Sequence, residues 1–235
     1  MNSPQAQVGS LPAEGAVAFA GAARMYRLAV EFNLRPDRYA GADWLPDDWP
    51  ARYRDLDAFG ERGRAVLAAA LLAQLGPGAV PVFAFGGRVA RIALLDRDAL
   101  ATLGAYCGLM LHRAWLREAA NWRAHSALVE AFGHSAMPFV LDRAPPFDGI
   151  GETLDTYRRA PHDAIDMIRR RGCRLLYDFV AAGHEPIAPR LALKFPRALA
   201  TQPAYGLNAT HRQHLAELIF LCIIPERLAQ WDWLF

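Results

Sequence analysis

The sequence predicts a mainly helical protein: a single globular helical domain that contains one small antiparallel β-hairpin. The composition, 53% hydrophobic and 21% charged, is that of a folded chain and not of a disordered one. Apolar residues recur at helical spacing over most of the length. One stretch, around Gly86-Gly87, changes to the pattern of short strands. We therefore expect helices throughout and a hairpin at this one place.

The first two helices are predicted from apolar periodicity and stop signals. Residues 1–12 are expected to form a disordered leader. The pattern then predicts a helix over 13–32. A second helix is predicted over 56–75, where Gly76 and Pro77 form the usual stop arrangement.

The hairpin is predicted in the stretch VPVFAFGGRVARIALL, from Val80 to Leu95. Two short apolar runs flank Gly86-Gly87, and glycine takes a positive φ without penalty at both positions of a two-residue turn. This is the only clear strand signal in the sequence.

Further helices are predicted from caps, stops and prolines. Asp96 is the expected N-cap of a long helix that runs to about Ala119. The others run from Asn121 to just before Gly133, from Pro161 to about Ala182, from Thr210 to Ile223, and from Pro225 over a short stretch.

Two irregular stretches interrupt these helices. RAPPFDGIGET, residues 143–153, is rich in proline and glycine and is the best candidate for a boundary or a mobile loop. Residues 184–197 are expected to be extended or irregular, because their prolines exclude a long helix. We expect a single domain over 13–235.

Charge and cysteine content limit the possible partners of the protein and the cellular compartment in which it works. The net charge of +2 is too balanced to indicate a nucleic-acid partner or insertion into a membrane. Three cysteines far apart in the chain argue against a disulfide framework and fit a reducing compartment. The apolar run 218–224 is far shorter than a membrane span. The sequence therefore predicts a cytoplasmic protein.

Catalytic and metal-binding patterns are not found. His211 and His214 have the i,i+3 spacing of two ligands on one helix face, but no third ligand completes a zinc site. The sequence has no Walker motif, no Gly-x-Ser-x-Gly elbow and no paired-carboxylate signature. We expect no catalytic residue, no cofactor and no bound metal, and hence no enzyme.

An arginine cluster is the first candidate binding surface. Arg169, Arg170, Arg171 and Arg174 lie within the predicted helix that starts at Pro161. Asp166 precedes them at i,i+3 and i,i+4 spacing, which favours a solvated face with internal ion pairs. A contact surface for an acidic protein partner is the next interpretation, ahead of nucleic acid.

A Pro- and Trp-rich segment, Phe32 to Trp49, is the second candidate. Its prolines exclude a regular helix, so its aromatic rings need a surface to pack against. Internal packing is the more frequent role of such rings, although Trp and Tyr are also enriched in interface hot spots. We expect the segment mainly to close the core, with Trp44 and Trp49 as the candidates for contact with a partner.

The order of these features resembles the SctK proteins of bacterial type III secretion, which are YscK-like and more distantly related to OrgA and MxiK. The stretches that carry the resemblance are EFNLRPDRY followed by ADWLP, RGRAVLAAALLAQLG, VFAFGGRVARIALLD, LATLGAYCGLMLHRAWLREA, RGCRLLYDF and PRLALKFPR. Each is degenerate alone, whereas their order and spacing are moderately specific, and they cover the chain from about residue 24 to 200.

The resemblance implies a non-enzymatic cytoplasmic adaptor of the sorting platform beneath the injectisome. Such proteins connect the cytoplasmic domain of the inner-ring protein SctD to the SctQ pods, which lead to the ATPase complex. The family has no catalytic residues to transfer to this chain.

Two other functions stay open. One is a chaperone-like or regulatory binding protein of the same secretion machinery, which would also be helical and without a catalytic site. The other is a small-molecule enzyme or sensor with a helical pocket, which would use His112 and His125.

Overall fold

The computed structural model describes residues 13–50, 60–119, 123–147, 150, 152–157 and 160–235. This part of the chain is mainly helical, as predicted. Its α-helices are α1 Ala13–Leu34, α2 Glu61–Gln74, α3 Arg88–Arg91, α4 Arg97–Leu111, α5 Arg113–Ala119, α6 Arg123–Phe132, α7 Ala136–Pro138, α8 Pro161–Ala181, α9 Ala188–Ala192, α10 Ala209–Glu217 and α11 Ile224–Arg227.

Shorter helical segments connect these helices. The 3-10 segments are Pro36–Arg38, Ala42–Trp44, Ile92–Leu94, Asp155–Tyr157, Arg197–Thr201 and Ala229–Leu234. Two π-helical segments, Phe139–Arg143 and Leu218–Ile223, follow α7 and α10. The predicted leader, residues 1–12, lies outside the described residues, as do parts of the predicted loop 143–153.

The pair α4 and α8 forms the centre of the fold and makes its most extensive helix contact. Glycines allow the two backbones to touch. A Cβ on Gly172 would lie 2.5 Å from the nitrogen and 2.7 Å from the Cα of Gly108. A Cβ on Gly104 would lie 2.9 Å from Sγ of Cys173. No larger side chain therefore fits at these crossing points.

The buried apolar side chains form one large cluster that runs from Ala29 to Leu234. The other helices except α2 also contribute buried residues to this cluster. A second, small cluster joins Leu45 with Leu67 and Leu71 of α2. The continuity of the large cluster supports the proposal of one domain over 13–235.

The predicted β-hairpin is wrong. The described residues contain no strand, and 80–87 has no regular secondary structure. Neither Gly86 nor Gly87 takes the positive φ that the predicted hairpin turn needs. The helix α3 follows at once, and residues 92–95 are all buried instead of alternating between two faces.

Side chains take the place of a neighbouring strand along this stretch. The Asn33 amide donates to the Val82 carbonyl oxygen at 2.5 Å and accepts from the Val82 N–H at 2.7 Å. Arg190 of α9 donates to the carbonyl oxygens of Ala79 and Val80 at 2.8 and 2.9 Å. Because these side chains bind the part-buried backbone groups of Ala79, Val80 and Val82, these groups need no partner strand.

Several predicted helix ends are confirmed. Asp96 caps α4 by accepting the Ala99 N–H at 2.7 Å. Gly76 and Gly133 follow α2 and α6 with φ of +77° and +86°, the left-handed conformation in which glycine ends helices. Pro161 begins α8.

Other boundaries differ from the prediction. The long helix from Asp96 is broken at His112 into α4 and α5. The helix predicted from Thr210 begins one residue earlier, at Ala209, with Asn208 as its cap, and it continues through a π-helical segment into α11, which includes Pro225. The stretch 184–197 contains the short helix α9, and the predicted N-cap Asn121 lies outside the described residues.

Candidate functional site

A cleft of about 340 Å³ lies between α8 and the 3-10 segment Arg197–Thr201 with the residues that follow it. Arg170, Arg171 and Arg174 of α8 line it together with Glu152 and Tyr205. We call it the arginine cleft. It brings together three of the four arginines that the sequence predicts as a binding surface.

Arg174 is held within the protein. Its guanidinium makes two parallel bonds of 2.9 Å to the Asp178 carboxylate and donates to the Leu199 carbonyl oxygen at 3.0 Å. Asp178 also accepts the Tyr205 N–H at 2.8 Å. Such bidentate pairs are directional and comparatively strong. Arg174 and Asp178 therefore hold Leu199 and Tyr205 in position against α8.

Arg171 is held in a similar way. It pairs with Glu152 at 3.0 Å and donates to the Thr153 carbonyl oxygen at 3.0 Å. The Tyr205 hydroxyl donates to the other oxygen of Glu152 at 3.2 Å. Burial, and then the neighbouring Glu152 carboxylate, raise the pKa of Tyr205, so its hydroxyl stays protonated and remains a donor.

His112 lies next to this network. It is 1% exposed, and its Nε2 is 3.5 Å from a guanidinium nitrogen of Arg171. Burial, and then the positive charge of Arg171, lower the pKa of His112 to about 4. His112 is therefore neutral at physiological pH. His125 is exposed on α6, and neither histidine lines the arginine cleft, so they do not form a shared pocket there.

Arg170 differs from the other two arginines of the cleft. Its side chain is exposed and forms no hydrogen bond or ion pair with any described residue. The predicted pairing of Asp166 with Arg169 or Arg170 is absent among the ion pairs of the described chain. Since Glu152 and Asp178 already bind Arg171 and Arg174, Arg170 is the arginine of the cleft whose charge no residue in the described part of the chain compensates.

Arg169 lies on another side of α8. It donates to the carbonyl oxygen of Ala131 at 2.9 Å and stacks over the ring of Phe132, 5.1 Å from its centroid. Both residues belong to α6. The four predicted arginines therefore do not form one continuous face.

Trp44 mainly closes the core, as expected for the Pro- and Trp-rich segment. Its indole N–H donates to the Phe195 carbonyl oxygen at 2.8 Å, and the Arg197 guanidinium lies over its ring. Trp49 is half-buried against the small cluster of Leu45 and α2. Both rings are thus engaged within the protein, and Trp49 is the more peripheral of the two.

Lys194 was not singled out as a site residue from the sequence, although it is the only lysine in the chain. It is buried, and its ammonium donates to the carbonyl oxygens of Ala93 and Leu95 at 2.8 and 2.6 Å. The rings of Phe32 and Tyr39 lie within 5.4 Å of it. Burial lowers its pKa to about 7.

No group of three or more histidine, cysteine or carboxylate side chains is placed to hold a metal ion anywhere in the described ranges. His211 packs edge-on against Phe147, whereas His214 is exposed. Within the same ranges, no helix is both long enough and apolar enough to cross a membrane.

These features define a mainly helical protein whose candidate site is a charged surface cleft. The chain belongs to the YscK family: the family model described as YOP proteins translocation protein K (YscK) matches residues 27–228. It is therefore a protein of the type III secretion machinery, which confirms the resemblance. Neither the search of curated proteins nor the search of solved structures gave a match.

The family assignment also bears on the kind of function. The YscK family is a component of a secretion machinery and is not a known enzyme family. Membership indicates protein partners within that machinery.

Proposed function

We propose that the protein is a non-enzymatic adaptor of the type III secretion sorting platform, which links the cytoplasmic domain of SctD to SctQ. The observation that carries this proposal is the family match over residues 27–228, most of the chain. An adaptor acts through surfaces alone and needs no cofactor. Its expected place is the cytoplasmic face of the inner membrane, where protein partners hold it.

The arginine cleft supports the proposal as one of the contact surfaces. Arg170 offers a positive charge without a partner among the described residues, beside Arg171 and Arg174, which are already neutralised. An acidic side chain of SctD or SctQ complements this arrangement. Complementary charges at such a rim mainly raise the association rate and set the salt dependence.

Arg169 and the two tryptophans are secondary in this proposal. Arg169 lies against α6, apart from the cleft. Trp44 is bound to Phe195, so it contributes to a partner contact only through the exposed part of its ring. Trp49 lies at the edge of the small cluster and is the better candidate of the two for contact with a partner.

The direct test is reconstitution of a ternary complex. The purified full chain is mixed with the SctD cytoplasmic domain and with SctQ of the same secretion system, and the masses are measured by size-exclusion chromatography with light scattering. An adaptor forms both binary complexes and one complex that contains all three proteins. Binding of a secreted substrate, without binding of SctD and SctQ, would instead assign the chaperone-like function.

A further inference from the structure

Apolar side chains are exposed together on one side of α1. The described residues contain six exposed large hydrophobic side chains, and four of them, Tyr26, Leu34, Val80 and Phe83, are 63, 47, 62 and 47% exposed and lie in this region. Single exposed apolar residues are ordinary, but a contiguous group marks an interaction surface.

The contacts show that these residues are neighbours. The rings of Tyr26 and Phe83 stack with their centroids 6.4 Å apart. The Arg190 guanidinium donates to the Val80 carbonyl oxygen and to the Asn33 carbonyl oxygen, at 2.9 and 3.5 Å. It therefore holds the stretch 80–83 beside the C-terminal half of α1.

Along α1 the exposed Tyr26 and Leu34, with the half-buried Val30 between them, follow a regular spacing. Tyr26, Val30 and Leu34 are separated by four residues each, so they form a row on one side of the helix. We call Tyr26, Val30, Leu34, Val80 and Phe83 the apolar stripe. It shares no residue with the arginine cleft.

We propose that the apolar stripe is the second docking surface of the protein and that it binds an amphipathic helix of a partner. The proposal rests on the adaptor function, since an adaptor needs two surfaces that do not overlap. The row of apolar side chains on α1 lies beside the stretch 80–83. An amphipathic helix can pack its apolar side chains at i, i+4 and i+7 against such a surface.

Charge at the edge of the stripe indicates the partner's chemistry. Arg27 follows Tyr26 on α1, is exposed, and forms no ion pair with any described residue. Glu31, the nearby acidic side chain, is already paired with Arg38 at 2.9 Å. The bound helix therefore carries an acidic residue beside its apolar row. A second copy of this chain fits poorly, because it would bring another Arg27 instead of a carboxylate to this edge.

The test compares two valines that are equally exposed. Val80 lies in the stripe and Val66 lies on α2, and both are 62% exposed. In the full chain, Val80→Asp weakens binding to either the SctD cytoplasmic domain or SctQ by at least about tenfold in titration calorimetry. Val66→Asp leaves both affinities unchanged. Tyr26→Asp is the second variant and is expected to lose the same partner.

Each other outcome has a distinct meaning. The stripe proposal is overturned if Val80→Asp and Tyr26→Asp have wild-type circular dichroism and bind both partners as tightly as the wild type. It is also overturned if the wild type sediments as a dimer that Val80→Asp dissociates, because the occupant is then a second copy. If the wild type binds neither SctD nor SctQ, the adaptor function itself fails, and the stripe proposal fails with it.

Discussion

Gly172 of α8 lies directly against Gly104 and Gly108 of α4, backbone to backbone. A Cβ at Gly172 would meet the carbonyl oxygen of Gly104 far inside van der Waals contact and would lie 2.5 Å from the nitrogen of Gly108. Backbone atoms on both sides cannot move aside as a flexible side chain would. The close contact between α4 and α8 therefore requires a residue without a Cβ at position 172.

We predict that Gly172→Ala destabilises the protein by about 3 kcal/mol, the upper part of the usual range for overpacking. The measurement is the free energy of unfolding in urea, followed by circular dichroism. Gly183→Ala is the matched control, because a Cβ there meets nothing within 4 Å and the residue has no positive φ. Equal stability of the two variants would show that α4 and α8 can separate at little cost.

Asn33 is predicted to hold the stretch 79–85 in place. Asn33→Ala removes both bonds to Val82 and leaves those backbone groups without a partner, which costs about 2–3 kcal/mol. The expected readout is faster amide hydrogen exchange in 79–85 together with lower stability. Asn208→Ala is the comparison, since it removes only an exposed helix cap and costs about 1 kcal/mol. Unchanged exchange in 79–85 would contradict this role.

Lys194 is predicted to make stability depend on pH. Its pKa is about 7 in the folded protein and 10.5 in the unfolded chain, so the unfolded chain binds more protons between these values. The contribution of Lys194 to stability is therefore smallest below pH 7 and rises as the pH increases toward 10. Urea unfolding of the wild type and of Lys194→Met at pH 7, 8 and 9 measures this change.

The difference between the two stabilities isolates Lys194, because the other titrating groups are common to both proteins. We expect the wild type to gain stability relative to Lys194→Met as the pH rises from 7 to 9. A constant difference over this range would mean that the two carbonyl oxygens and the aromatic rings keep Lys194 charged despite its burial.

Arg170 is predicted to attract an acidic partner without a role in folding. Arg170→Glu should leave the unfolding free energy within about 0.5 kcal/mol of the wild type, because its side chain has no bond to break within the described residues. It should weaken binding to SctD or SctQ by about tenfold at low salt and by less at high salt. Titration calorimetry at two salt concentrations measures both effects.

The control for Arg170 is Arg117→Glu, which reverses an exposed charge on α5, away from the cleft. Reversal at Arg171 or Arg174 is less informative, since it would also break the pairs with Glu152 or Asp178. If Arg170→Glu binds both partners with wild-type affinity at low salt, Arg170 belongs to a solvated face. The contact would then move toward Trp44 and Trp49.

The arginine cluster shows how far the sequence predicts the site. Its location on a helix starting at Pro161 is correct, because helix periodicity and a proline at the first turn are local signals. The four arginines do not form one continuous face. Arg169 binds α6, whereas Arg171 binds Glu152, which lies far from it along the chain. The sequence does not show which distant residue will meet each guanidinium.

Local sequence signals are enough to predict the helical class and the helix ends that depend on neighbouring residues, such as the cap at Asp96 and the glycine stops at Gly76 and Gly133. These features need only contacts within one or two turns. The absence of a strand over 80–87 depends on long-range contacts, because the amide of Asn33 and the guanidinium of Arg190 bind the backbone of Val82 and Val80 from elsewhere in the chain. The burial of Lys194 also depends on long-range contacts, since its carbonyl partners lie about a hundred residues earlier in the chain. Local periodicity carries no information about such pairings, which form only when distant helices pack together.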